Sequence, residues 1–281
     1  MTTPRGARTP QRRLPRQTVV GVVLGAGAIA ALLAGRRPVS ALVAVLCIFA
    51  YAELRGLLAP SAHRATLAVG AVGVGAFLWA GYRGRLSSIP LIAAVLTLAI
   101  LTILVVLSEA TGRADGATQD VSSTLAASAV VGIMGAHILL IRSIPRVGFR
   151  GLLAFGLMVL LNDAFAFFGG RAFGRRPLWP RLSPNKTTEG AICGFLASVV
   201  VGLIAGFVLK PPFDPKSALA FGVAIGVLAP VGDLVFSAIK RAAARKESGG
   251  AFGPLGGALD AIDSLLFCAP LFYWAFRTVA L

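Results

Sequence analysis

A chain of 281 residues that is 57% hydrophobic and only 14% charged departs from a water-soluble domain, in which roughly a quarter of residues carry charge. Its mean hydropathy of +0.83 argues for a membrane protein. The formal net charge of +16 would suggest nucleic acid in a soluble protein. Here the basic residues collect in the N-terminal tail and in loops between apolar runs, without a nucleic-acid-binding module. Anionic lipid headgroups and phosphate ligands are therefore the expected partners, and nucleic acid is not.

Apolar runs of about 17–25 residues, the length an α-helix needs to cross a bilayer, recur from end to end. Such segments must satisfy their backbone hydrogen bonds internally, so the expected fold is all-α, a polytopic membrane helical bundle of about nine transmembrane helices. The alternation of a β-barrel is absent. Residues 1–17, with five arginines and no acid, read as a disordered basic cytoplasmic tail, a cleaved signal peptide being the competing reading. Spans follow at roughly 18–35, 38–58, 65–82, 88–108, 121–141, 151–168, 190–209, 217–236 and 259–278. Residues 18–150 form an N-terminal set of spans, and residues 151–281 hold the polar motifs. His63 and His137 are isolated, and Cys47, Cys193 and Cys268 lie in or beside apolar runs. No histidine metal cluster and no disulfide framework are expected.

A cytoplasmic N-terminus puts the loops near 59–64, 109–120, 169–189 and 237–258 on the same side, with 17 of the 27 basic residues. The opposite side holds the other ten, and Arg142, Arg146 and Arg150 in one loop run against that assignment. No internal repeat emerges, which disfavours an inverted-repeat transporter.

The two most polar loops carry the chemistry. Asn162 and Asp163 lie in an apolar span, where a charge at the centre costs ~2.5–3.5 kcal/mol and calls for a partner or a hydrated cavity. A helix that ends early, leaving Asp163 at the interface, is the other reading. Gly169, Gly170 and Gly174 are interleaved with Arg171, Arg175 and Arg176, a composition that lets backbone N–H groups and guanidinium forks reach a phosphate. In SPNKTTEG, Ser183-Pro184 reads as a turn, Lys186 supplies a point charge suited to phosphate, and Thr187 or Thr188 caps the next helix. Glu189 suits the positive end of that helix. Lys186 does not, unless an anion joins it.

Further on, Asp233, Ser237 and Lys240/Arg241 share a helical face, and Arg245, Lys246 and Glu247 continue the charge. A segment rich in glycine with Pro254 breaks the helix before the last span opens with Leu-Asp-Ala-Ile-Asp. Asp260 and Asp263, three apart, face the same way. They are either acids matched to a helix N-terminus or carboxylates that share a divalent cation, for which hard oxygen ligands favour Mg²⁺.

In order and spacing, S-x-x-K-R, Lys-acid and G-G-x-x-D-x-x-D resemble the signature of phosphatidate cytidylyltransferases (CDP-diacylglycerol synthases). SPNKTTEG and FGGRAFGRR resemble two further elements of that family, and the resemblance runs from about residue 160 to 270. It implies a multi-pass inner-membrane enzyme with its catalytic region in residues 151–281 and its active-site loops in the cytoplasm. Such an enzyme transfers CMP from CTP to phosphatidic acid, giving CDP-diacylglycerol and pyrophosphate; a homodimer is compatible with it. By the resemblance, Asp233, Asp260 and Asp263 hold Mg²⁺ and, with Lys240, are catalytic. Asp163, Arg171, Ser183, Lys186, Thr187, Glu189, Ser237, Arg241, Lys246, Gly256 and Gly257 line the substrates. Three positions depart from the family pattern: Glu247 for a usual Asp, Leu255 for a usual His and Ala261 for a usual Arg. The alternatives are a cytidylyltransferase acting on another lipid phosphate, such as an isoprenoid one, and a catalytically degenerate membrane scaffold of the same fold.

Overall fold

The computed structural model describes residues 16–60, 64–111, 117–180, 182–209, 212–251 and 256–280. Among them are nine α-helices and one two-stranded ribbon. The helices are α1 (Arg16–Leu33), α2 (Arg36–Leu58), α3 (Arg64–Tyr82), α4 (Ile89–Thr111), α5 (Ala117–Ser143), α6 (Gly148–Phe173), α7 (Thr188–Val208), α8 (Pro215–Ala242) and α9 (Ala258–Ala280). Eight segments are long and apolar enough to cross a membrane; α1 adds a shorter apolar stretch, Gly21–Leu33. The expected nine-helix membrane bundle is the observed architecture. The tail expected at residues 1–17 falls largely outside the described residues, and helix α1 already begins at Arg16.

An all-α reading leaves out the ribbon. β1 (Pro177–Trp179) pairs antiparallel with β2 (Ser183–Thr187), Pro177 opposite Thr187 and Trp179 opposite Ser183. Ser183 and Pro184, expected as a turn, are strand residues. β2 runs directly into α7, whose first turn is capped by Thr187: its Oγ1 accepts from Gly190 N–H at 3.1 Å. Thr187, and not Thr188, is therefore the cap.

Between membrane helices the hydrophobic effect contributes little, because lipid tails are as apolar as leucine; close packing and interhelical hydrogen bonds hold the bundle instead. α7 shows how. Gly190, Gly194, Ser198, Gly202 and Gly206 recur every four residues and are all buried, so one stripe of the helix has almost no side-chain bulk. α6 and α8 approach along that stripe. A Cβ at Gly202 would stand 2.5 Å from Ala218 O and 3.1 Å from Gly222 Cα. A Cβ at Gly194 would stand 2.6 Å from Asn162 O. At the centre, Asn162 Nδ2 donates to Ser198 Oγ at 3.0 Å, and Ser198 Oγ donates to Met158 O at 3.0 Å. The outward residues Ile192, Leu196, Val200, Ile204 and Phe207 are exposed apolar side chains, as lipid contact requires.

α6 extends five residues past its expected end, so Asp163 lies inside a helix and the early-ending reading falls. Gly169 and Gly170, expected in a phosphate-suited loop, also lie in α6. Gly169 packs on Cys193 and Gly170 beside Gly190, where small residues serve helix contact. The N-terminal and C-terminal spans share one apolar core. It runs from Tyr51 and Leu54 on α2 through Ile138 and Ile141 on α5 to Phe155 on α6 and Phe272 on α9.

Candidate active site

One end of the bundle gathers the C-termini of α2, α6 and α8, the N-termini of α3, α5, α7 and α9, and the ribbon. Nearly all the expected site residues converge there. β2 delivers Lys186, whose Nζ forms an ion pair with Asp233 Oδ2 on α8. One turn along α8, Ser237 Oγ donates to Asp233 Oδ1 at 3.3 Å. A second pair lies deeper: Lys240 Nζ meets Asp260 Oδ1 at 2.5 Å, each side chain only 10% exposed. Asp263, one turn further into α9, is buried and accepts from the N–H of Ser264 at 2.6 Å. It lies within electrostatic reach of Asp233, Asp163 and Lys240. Asp163 in turn lies within reach of Asp233 and Lys186. Three helices and β2 thus bring four carboxylates and two ammonium groups into one cluster.

The two carboxylates at the start of α9 differ in their surroundings. Asp260 Oδ2 accepts from Ser248 N (2.9 Å), Ser248 Oγ (2.9 Å) and Gly257 N (2.8 Å), while Oδ1 faces Lys240. Three donors hold it, with Ser248 Oγ as a shared fourth, and it anchors the loop that precedes α9. Gly256, at φ +86°, takes a backbone that favours glycine. A Cβ on Gly257 would collide with Glu53 and with Ser248 Oγ. Both glycines shape this corner.

Glu53, on α2, was not foreseen. Its Oε1 accepts from Ala258 N at 3.0 Å and its Oε2 from Leu259 N at 2.9 Å. Ser248 Oγ stands 2.9 Å from both Glu53 Oε2 and Asp260 Oδ2, so its single proton serves one of them at a time. A carboxylate from a distant helix thus caps α9, whose first N–H groups would otherwise lack partners. Beside it, buried Arg55 donates to Thr124 Oγ1 at 3.0 Å and Thr66 Oγ1 at 2.5 Å. It ties α2 to α3 and α5.

Other expected residues sit at the rim. Glu189 Oε2 accepts from Arg175 N (3.0 Å) and Arg176 N (3.3 Å), fixing the chain between α6 and the ribbon. Arg241 turns away from the cluster: Nε donates to Leu182 O at 3.5 Å and Nη1 to Arg245 O at 3.3 Å. Arg171 and Lys246 are exposed, as are Glu247 and Ala261. Ser183 is half-buried in β2. Leu255 lies outside the described residues.

Among the described residues no three His, Cys, Asp or Glu side chains come close enough to cage a metal by themselves. Mg²⁺ is commonly held by one or two carboxylates and completes its shell with water and substrate phosphates. Asp233 and Asp263, hard-oxygen donors beside two lysines, fit that pattern for a metal that arrives with a polyphosphate.

A family model described as "Cytidylyltransferase family" matches residues 15–279. An uncharacterized protein of Escherichia coli, YnbB, is 41% identical over 116 residues, covering 41% of this chain and 39% of that protein. A phosphatidate cytidylyltransferase of Bacillus subtilis is 33% identical over 148 residues, covering 53% and 55%. Another, of Aquifex aeolicus, is 38% identical over 122 residues, covering 43% and 45%. The chain thus spans only about two fifths to just over half the length of these relatives.

Proposed function

The chain belongs to the cytidylyltransferase family, and on that premise we propose that it transfers CMP from CTP to a lipid phosphate, phosphatidic acid, giving CDP-diacylglycerol and pyrophosphate. The observation that carries this reading is the cluster of Asp163, Asp233 and Asp263 with Lys186 and Lys240 at one end of the bundle. Relatives named phosphatidate cytidylyltransferase support the choice of lipid.

The reaction sets an anion against an anion: a phosphate oxygen of the lipid attacks the α-phosphorus of CTP, and pyrophosphate leaves. Positive charge placed where negative charge builds is the main catalytic need. Lys186 and Lys240 occupy that position, each held by a carboxylate until phosphates arrive. On substrate binding the ammonium groups pass to phosphate oxygens, and Asp233 becomes available to a cation. Asp233 and Asp263 would hold Mg²⁺, which supplies Lewis-acid polarisation of the phosphates when bound. Asp260 keeps the α9 loop in register through Ser248 and Gly257. The cluster lies where spans end, so a lipid headgroup reaches it from the membrane and CTP from water. The excess of basic residues at this end supports a cytoplasmic orientation in a bacterial inner membrane.

Purified protein incubated with CTP labelled at the α-phosphate, Mg²⁺ and phosphatidic acid tests the proposal. Labelled CDP-lipid is expected from the wild type and none from Asp233→Asn. Product from an isoprenoid phosphate alone would reassign the lipid. No product from either lipid, in conditions where a relative is active, would overturn the enzymatic reading.

A further inference from the structure

The end of the bundle remote from the carboxylate cluster carries a feature that the proposed reaction does not use. A cavity of about 690 Å³ opens there between the α3–α4 turn, the α5–α6 turn and the last turns of α9. Its polar lining is Arg83, Arg85, Arg277, Ser87, Ser143 and Tyr273, with no carboxylate. Among the described residues the only acid at this end is Asp214, and it is occupied: Oδ1 accepts from Lys216 N and Ser217 N, and Oδ2 from Ser217 Oγ at 2.6 Å. The ion pairs recorded among the described residues all lie at the other end. Three arginines therefore line one cavity with no carboxylate partner among the described residues.

The turn that presents two of them is well defined. Arg85 N–H donates to Ala80 O at 2.9 Å and Gly84 N–H to Gly81 O at 3.0 Å, with Gly84 at φ +69°. This is the Schellman closure of a helix C-terminus, and it sets Arg83 and Arg85 on either side of the glycine. Helix dipoles account for Arg277 in the last turn of α9 and for Arg83, the residue directly after α3. They do not account for Arg85, which lies beyond the helix, next to the start of a 3-10 turn (Leu86–Ser88) that has no side-chain cap. Nearby, Arg142 Nε is buried with no hydrogen-bond partner among the described residues.

The cavity's depth in the membrane follows from its neighbours. Trp79 and Trp274 are 61% and 50% exposed. Trp79 stacks on Tyr82 and lies under Arg83, and Trp274 contacts Tyr273 and lies under Arg277. Exposed tryptophans at the ends of spans mark the headgroup level.

We propose that this cavity binds the phosphate of an anionic phospholipid headgroup from the leaflet opposite the carboxylate cluster. Arginine forks grip the phosphate oxygens, the hydroxyls of Ser87, Ser143 and Tyr273 complete the contacts, and the tryptophans seat the glycerol and acyl region. The site is independent of the transfer reaction, and it gives a role to Arg83, Arg85 and Arg277, three of the ten basic residues on that side.

Native mass spectrometry of the detergent-purified full chain with added phosphatidylglycerol, which is not the proposed substrate, tests it. Wild type is expected to retain phosphatidylglycerol at least fivefold over phosphatidylcholine. Arg83→Gln/Arg85→Gln/Arg277→Gln is expected to lose that preference, whereas Lys186→Met at the other end keeps it. Arg85→Gln alone, at an exposed position past the helix, is expected to weaken retention about twofold or more, so the test survives if the triple variant misfolds. Equal retention in wild type and variants, or displacement of the lipid by millimolar inorganic phosphate, would overturn the proposal.

Discussion

Glu53→Ala is the perturbation with the most to say about how the site is held. In the wild type the carboxylate accepts from Ala258 N and Leu259 N, both on buried residues, and from Ser248 Oγ. Truncation leaves two buried N–H groups without partners at about 1–3 kcal/mol each. Ser248 retains Asp260 as acceptor, so its loss is small. The expected destabilisation is therefore about 2–6 kcal/mol, a large part of a stability of ~5–15 kcal/mol. Glu53→Gln keeps one acceptor oxygen and is expected to lose about half as much. Thermal unfolding in detergent measures the global cost, and hydrogen exchange at Ala258 and Leu259 measures the local one. Exchange at these amides should accelerate in Glu53→Ala before the rest of α9 opens. Unchanged exchange and unchanged unfolding would refute the capping argument.

Four further outcomes follow from the same geometry. Lys240→Met leaves Asp260 Oδ1 without its cation while Oδ2 keeps three donors. The expected loss is about 2–3 kcal/mol, at or below the low end of the range for breaking a buried ion pair, with CDP-lipid formation falling far more than unfolding explains. Thr187→Ala removes the cap of α7 and should cost about 0.5–2 kcal/mol by thermal unfolding. Gly202→Leu meets the backbone of α8, which cannot move aside, and should abolish recovery of monodisperse protein. Gly75→Leu, with no atom within 4 Å of its Cβ position, should change stability by no more than ~0.5 kcal/mol.

Much of the site was legible because charge in an oily chain is expensive. Asp163, Lys186, Asp233, Lys240, Asp260 and Asp263 stood out against apolar surroundings, and the structure clusters them. Pairing was harder to read. Helical spacing put Lys240 and Arg241 together on the face of Asp233, yet Lys240 crosses to Asp260 and Arg241 turns to the ribbon. Consecutive residues on a helix point about 100° apart, and sequence alone does not say which neighbour stands in each direction. Glu53 carried a readable signal, an acid inside an apolar span, but its partners lie more than 200 residues away. The stripe of small residues spaced four apart on α7 was equally visible. It explains why glycines of α6 suited to a phosphate loop serve helix contact. The ribbon was missed because Ser183-Pro184 has turn chemistry, and pairing with Pro177–Trp179 overrides it.

The claim on which the account rests is that carboxylates and lysines at one end of the bundle hold a metal-bound triphosphate. Calorimetric titration of the purified protein with a non-hydrolysable CTP analogue measures this apart from turnover. Binding is expected only with Mg²⁺ present, and it should weaken at least tenfold, about 1.4 kcal/mol, in Asp233→Asn/Asp263→Asn. Equal affinity with and without Mg²⁺, or in the wild type and the double variant, would contradict it.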